Sequence, residues 1–187
     1  MKQISYSQII PYIEKGLISE GVHPEDPDVR IYNYTAQTQF SQTWDDVTMT
    51  CRGLIINVKT GEILARPFKK FFNFQEHTAK GWPIPNEIPI VTEKLDGSLG
   101  ILYELNGLPW IATRGSFTSD QARWATDWYR KNIGEMVPPG ETFLYEVIFP
   151  ENRIVVNYDF SGLVFLASID IQKGIQVPRK RTFPLEA

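Results

Sequence analysis

Cys51 is the only cysteine among 187 residues, and His23 and His77 are the only histidines. One thiol excludes an intrachain disulfide, and two distant imidazoles with one thiol make no zinc constellation. The start shows no secretory hydrophobic region and no apolar run is long enough to span a bilayer, so the expected chain is soluble and cytoplasmic, with no membrane partner. Repeats, low-complexity tracts and linkers are lacking too, which leaves one domain as the expected organisation. Charge of one sign is also lacking. Nineteen Lys plus Arg stand against 22 Asp plus Glu, a formal charge of -3, so only a local patch could attract nucleic acid. What is abundant is core material: 42% of residues are hydrophobic and 13% aromatic, enough to bury one compact core.

The apolar spacing outlines the elements. Ser5 can cap an opening helix with Ile9, Ile10 and Ile13 as its stripe and Gly16 as its end, provided Pro11 falls in the first turn. The Pro- and acid-rich stretch from Ser19 to Asp28 reads as a loop. Gly53 to Val58 and Ile63 to Arg66 read as a hairpin turning at Lys59, Thr60 and Gly61. Further strands are expected at Ile88 to Thr92, Leu99 to Leu105, Phe143 to Phe149 and Leu163 to Asp170. Thr118 and Gln121 suggest a capping box for a helix that carries Ala122, Ala125, Trp128 and Tyr129 down to Ile133. Strands without strict βαβ alternation imply an α+β fold of mainly antiparallel sheet.

The most informative segment is Glu93-Lys94-Leu95-Asp96-Gly97-Ser98, set in a turn between two expected strands. That placement would present Lys94 at a sheet edge. Gly97 permits a positive φ or a close backbone approach, and Ser98 offers a hydroxyl to a phosphate or sugar. An ordinary Asp-Gly turn beside a solvated lysine would look the same. Glu146 stands alone in the apolar run Phe143 to Phe149, where a carboxylate is costly unless paired or metal-bound. Phe71, Phe72 and Phe74, like Trp124 and Trp128, have core packing as their plainer reading, with one of the three phenylalanines left to meet a base.

Lys94-x-Asp96-Gly97-Ser98 resembles the signature of covalent nucleotidyltransferases, which include DNA ligases, RNA ligases and mRNA capping enzymes. Four further segments resemble the bacteriophage-type RNA ligase 1 group. They are Cys51-Arg52-Gly53-Leu54-Ile55, the run Pro67 to Asn73 containing Lys69-Lys70-Phe71-Phe72, Thr113-Arg114-Gly115-Ser116 with Ser119 to Ala122, and Tyr145-Glu146-Val147-Ile148 running on through Asn152-Arg153-Ile154-Val155. The family often has lysine where Arg114 stands.

The resemblance implies a nucleotidyltransferase fold with sheets around a nucleotide cleft. It implies Lys94 as the nucleophile that takes AMP from ATP, and Glu146 as a catalytic residue binding Mg²⁺ or ribose. Arg52, Lys70 and Arg114 would contact phosphates, while Phe72, Asp96 and Gly97 would complete the ATP site. A lysine at its ordinary pKa is neutral only about one time in a thousand near neutral pH, so such a nucleophile needs help from a cation, a metal ion or desolvation. The implied partners are RNA 5′-phosphate and 3′-hydroxyl ends. The family's distal Glu-Gly strand and Lys-x-Lys pair do not occur here, and Lys173-Gly174 and Arg179-Lys180-Arg181 are poor substitutes. The expectation is therefore a C-terminally incomplete adenylylation domain, completed by a downstream segment or second polypeptide. A related DNA ligase, a capping-type enzyme, or a non-catalytic nucleotide- or RNA-binding module are the alternatives.

Overall fold

The computed structural model describes residues 4–84, 86–89, 91–135 and 138–178. Two antiparallel sheets pack face to face. The first runs in the order β1 (Ile18–Val22), β2 (Val29–Tyr34), β3 (Arg52–Asn57) and β4 (Ile63–Ala65). The second has β5 (Ser98–Leu105) and β7 (Glu141–Ile148) at its centre, β6 (Leu108–Ala112) on one side, and β8 (Gly162–Asp170) and β9 (Gln176–Val177) on the other. Helix α1 (Tyr6–Glu14) covers the outer face of the first sheet, and α5 (Asp120–Asn132) covers that of the second. The class is α+β, as expected.

Alternation along β5 explains this layering. Ile101, Tyr103 and Leu105 point at Val29, Ile31 and Ile55 of the first sheet, while Leu102 between them joins Ala125 and Tyr129 of α5. A strand buried on both faces reads as a continuous apolar run, which is why β5, β7 and β8 stand out in the sequence. Each fully buried Leu or Ile contributes about 1.5–3 kcal/mol over an exposed one. Thr126 fixes α5 on the sheet by accepting the Ile111 N–H at 2.9 Å and donating to the Ile111 carbonyl at 3.2 Å.

Several local expectations are corrected. Ser19 to Asp28 is not all loop, because β1 occupies Ile18–Val22 as an edge strand. Edge position lets it carry polar residues: only Ile18 is buried, and Glu20 ties to Arg30 and Tyr32. His23 follows it, buried edge-on against Tyr103, Trp110 and Phe117, with burial lowering its pKa. Pro11 lies in mid-helix rather than the first turn, so α1 forgoes one backbone N–H. The cap of α5 is Ser119, whose hydroxyl accepts the Ala122 N–H, one residue beyond the expected Thr118. The described residues of Ile88 to Thr92 form no strand; Ile90 lies outside them, and Ile88 and Val91 stand exposed. Three short helices, α2 (Ala36–Ser41), α3 (Asp46–Thr50) and α4 (Phe74–Lys80), and a 3-10 turn at Pro150–Asn152 complete the described elements. No helix among the described residues is long and apolar enough to cross a membrane. Arg179, Lys180 and Arg181 lie outside the described residues.

Candidate active site

Lys94 is exposed and lies four residues before β5, on a segment of no regular structure. The anticipated strand-turn-strand is therefore only a turn and its second strand. What holds the turn comes from downstream, through three consecutive residues. The Asp96 N–H donates to the Tyr158 hydroxyl at 2.8 Å, while its carboxylate accepts the Val155 and Val156 N–H groups at 2.6 and 2.9 Å. The Gly97 N–H donates to Glu146 Oε1 at 2.9 Å. The Ser98 hydroxyl donates to Asn152 Oδ1 at 2.9 Å, and Asn152 Nδ2 in turn donates to the Val147 carbonyl at 2.8 Å.

Of the two roles open to Gly97, close approach is the one observed. A Cβ there would sit 2.5 Å from the Val147 carbonyl oxygen and 3.2 Å from Glu146 Cγ. No L side chain fits without moving β7 or the turn.

Charge around this turn is uneven. Two backbone donors, with help from the Lys94 ammonium, hold the Asp96 carboxyl below its ordinary range. Burial pushes the Glu146 carboxyl up, only partly offset by the Gly97 N–H and by Lys94. Lys94 thus lies within electrostatic reach of both carboxylates, one committed to the fold and one costly to keep ionised.

The cations come from the other sheet and the loop after β6. Arg52 opens β3, and Gly53 behind it has φ +100°, with its Cβ position 2.4 Å from Ile101 Cδ1 and 3.2 Å from the Arg114 carbonyl oxygen. That close fit brings β3, β5 and the Arg114 turn together. The Arg52 guanidinium is largely buried, its pKa lowered first by burial and further by the neighbouring Arg114. Arg114 donates to the Tyr34 hydroxyl at 3.2 Å. Neither arginine forms an ion pair among the described residues, and Arg52 Nη1 is buried without a hydrogen-bond partner. Two adjacent guanidiniums, one with an orphaned donor, are suited to an anion.

Lys70 and Phe72 belong to an aromatic cluster flanking this group. Lys70 Nζ lies 4.7 Å from the Phe72 ring centroid and 5.7 Å from that of Trp44. The cluster meets the arginines where Phe71 lies under the Arg52 guanidinium, at 5.2 Å. Lys69 pairs instead with Asp46 at 3.1 Å. Phe71 and Phe74 are not core, being 64% and 67% exposed. Trp124 packs as expected, stacked on Phe149 beneath α5. Tyr158 and Tyr34 are not marked by the sequence, although both meet the site. The sequence names Asn152 only within the Asn152-Arg153-Ile154-Val155 continuation of the family segment, without a role of its own.

No group of three or more His, Cys, Asp or Glu that could hold a metal occurs among the described residues. Glu146, with one oxygen on Gly97, is the carboxylate beside the Lys94 turn that could serve as a single protein ligand to a divalent cation. That matches the metal's habit of taking one or two carboxylates alongside phosphate and water.

A family model described as RNA ligase matches residues 50–182. The chain is 32% identical over 148 residues to RNA ligase 1 of bacteriophage TS2126, covering 72% of this chain and 38% of that protein. It is 28% identical over 168 residues to a protein of Thermovibrio ammonificans provisionally named an RNA ligase, covering 78% of this chain and 44% of that one. A protein of Autographa californica nuclear polyhedrosis virus, provisionally named a bifunctional polynucleotide kinase/RNA ligase, is 29% identical over 174 residues, 79% of this chain and 25% of its own length. The chain spans less than half the length of each of these relatives.

Proposed function

Because the chain belongs to the phage-type RNA ligase family, we propose that it carries the ATP-dependent adenylylation site of an RNA-joining enzyme, with Lys94 as nucleophile. The neutral Lys94 amine attacks the α-phosphorus of ATP; a P–N bond forms and the bond to pyrophosphate breaks. AMP then passes to the 5′-phosphate of an RNA, and a 3′-hydroxyl displaces it to seal the strand. Arg52, Arg114 and Lys70 bind the phosphates, and Phe72 lies near the nucleotide. Bound magnesium would neutralise charge developing on the phosphates, with Glu146 as its protein ligand. Asp96 and Gly97 serve mainly to fix the turn, since their polar groups are committed to Tyr158, Val155, Val156 and Glu146.

One observation carries this reading. The Lys94 turn is bonded to Glu146, which in turn feels the charge of Arg52, whose buried Nη1 has no partner. A nucleophile, a costly carboxylate and an unsatisfied cation beside one another make an anion-activating site. We further propose that a downstream segment, in cis or as a second polypeptide, supplies the family's distal lysine pair.

The test is intact-mass analysis after incubation with magnesium and either ATP or GTP. The expected result is one acid-labile AMP adduct from ATP and none from GTP. Lys94→Ala removes the adduct, and its melting temperature matches the wild type because the side chain is exposed. An adduct persisting on Lys94→Ala would reject the assignment; a wild type that binds ATP without any adduct would favour a non-catalytic nucleotide-binding module.

A further inference from the structure

Beside the site lies a strip in which exposed rings alternate with unpaired cations. Phe71 lies in the segment between β4 and α4, and Phe74 opens α4; both leave about two thirds of their surface in water. In the same stretch of chain, Phe72, His77 and Trp82 interlock with one another and with Trp44 at tilted or edge-to-face angles, with centroids 4.7–6.3 Å apart. Lys80 Nζ lies 4.6 Å from the Trp82 centroid and also donates to Gln42 at the end of α2, which holds its charge at the strip.

Two acids flank the strip, and only Glu76, which caps α4, keeps its charge unpaired among the described residues. Asp46 is paired with Lys69, and Glu76 accepts the Asn73 N–H at 2.9 Å. Lys70, Lys80 and Arg52 form no ion pair among the described residues. Three unpaired cations against the one Glu76 carboxylate thus leave a local excess of positive charge around two bare aromatic faces, in a chain whose formal charge is -3.

We propose that this strip holds an unpaired stretch of the RNA substrate, with bases stacked on Phe71 and Phe74 and a backbone phosphate on Lys80. The inference rests on the RNA-joining reading above and says where the strand lies. Stacking needs a base with a free face, so single strands fit and duplexes do not. A second copy of the chain would bring the same cations against each other, which disfavours self-association through this face. A base on Phe71 would sit next to Arg52, so the strand would lead directly to the nucleotide site.

The experiment is fluorescence anisotropy with a short labelled oligoadenylate RNA, single-stranded or annealed to its complement. The wild type should prefer the single strand. The double variant Phe71→Ala/Phe74→Ala should bind it about tenfold or more weakly, as loss of base stacking does elsewhere. Phe71→Tyr/Phe74→Tyr should retain binding, which separates stacking from a folding defect. Lys80→Ala should weaken binding and reduce the salt dependence by roughly one phosphate contact. Equal affinity of the double alanine variant, equal affinity for duplex, or loss of a wild-type dimer in the variant with RNA affinity unchanged would each overturn the proposal. AMP adduct formation is read on the same wild-type protein. An adduct without the RNA effect rejects the strip alone, whereas the RNA effect without an adduct rejects the adenylylation reading alone.

Discussion

The chain is built differently on the two sides of Lys94. Downstream, Asp96, Gly97 and Ser98 are each bonded to a separate partner in or after β7, and β5 then enters the core. Upstream, Ile84, Ile88 and Val91 are 47%, 96% and 87% exposed, and no strand is formed by the described residues between α4 and the turn. Lys94 therefore hangs from one fixed side. Its position is set by groups that follow it in sequence, while the residues before it contribute few buried contacts to local stability. Substitutions on the two sides should separate accordingly.

The largest effect among the supporting residues is expected at Glu146. Glu146→Gln keeps an acceptor for the Gly97 N–H but removes the charge, so adduct formation should fall by about a hundred- to a thousandfold. Stability should move the other way. Burial raises the Glu146 pKa above its ordinary 4.5, so in that window the folded chain holds a proton that the unfolded chain has released. The wild type therefore loses stability as pH rises through the window, and the Gln variant does not. Melting curves should show the variant equal or more stable near neutral pH, with the gap closing toward about pH 4. A variant less stable at neutral pH, or a rate unchanged across a magnesium titration, would break the assignment.

Gly97→Ala comes next. The new methyl would meet the Val147 carbonyl at 2.5 Å, so the turn must shift away from Glu146. A displacement near 1 Å at a reacting group costs on the order of a hundredfold. The readout is the single-turnover rate of adduct formation; a near-normal rate would mean that downstream anchoring does not set the geometry.

Asn152→Ala should be milder for chemistry and harsher for the fold. It leaves the buried Val147 carbonyl and the Ser98 hydroxyl without their partner, a cost of about 1–3 kcal/mol. Melting should fall by several degrees, roughly 2–4 °C per kcal/mol at this chain length. Adduct formation should drop about tenfold, because Asp96 and Gly97 still hold the turn.

The same asymmetry explains what could be read from the sequence. Lys94 to Ser98 is a contiguous signature, and Glu146 is conspicuous as a carboxylate in an apolar run. The strands β5, β7 and β8 announce themselves because they are buried on both faces. Asn152 and Tyr158 do not, since their partners Ser98 and Asp96 are 54 and 62 residues away and only tertiary folding brings them together. β1 was missed because an edge strand with one buried residue has almost no apolar pattern. Ile88 to Thr92 differs for the opposite reason: the local apolar character of a strand is there, but no neighbour among the described residues supplies the ladder. The helices α2, α3 and α4 are six, five and seven residues long, too short to display a period. How the Lys94 turn, Glu146 and the arginines meet was likewise beyond local pattern, because Gly53 brings the sheets together through close packing rather than through any charge.

The smallest effect should come from the upstream side, and it is the sharpest check on the comparison. Val91 is 87% exposed, three residues before Lys94, and it belongs to no strand. Val91→Ser removes almost no buried surface, so its effect on stability should stay within about 0.5 kcal/mol, the usual range for exposed positions. If Lys94 is positioned only from downstream, the rate of AMP adduct formation should change by less than about twofold, which is about 0.4 kcal/mol in barrier height. The measurement pairs Val91→Ser with Gly97→Ala, each three residues from Lys94 on opposite sides. Comparable losses in both would mean that the upstream segment closes onto the site during reaction. Loss confined to Gly97→Ala would mean that the strand-side bonds to Glu146, Asn152 and Tyr158 define the reactive geometry.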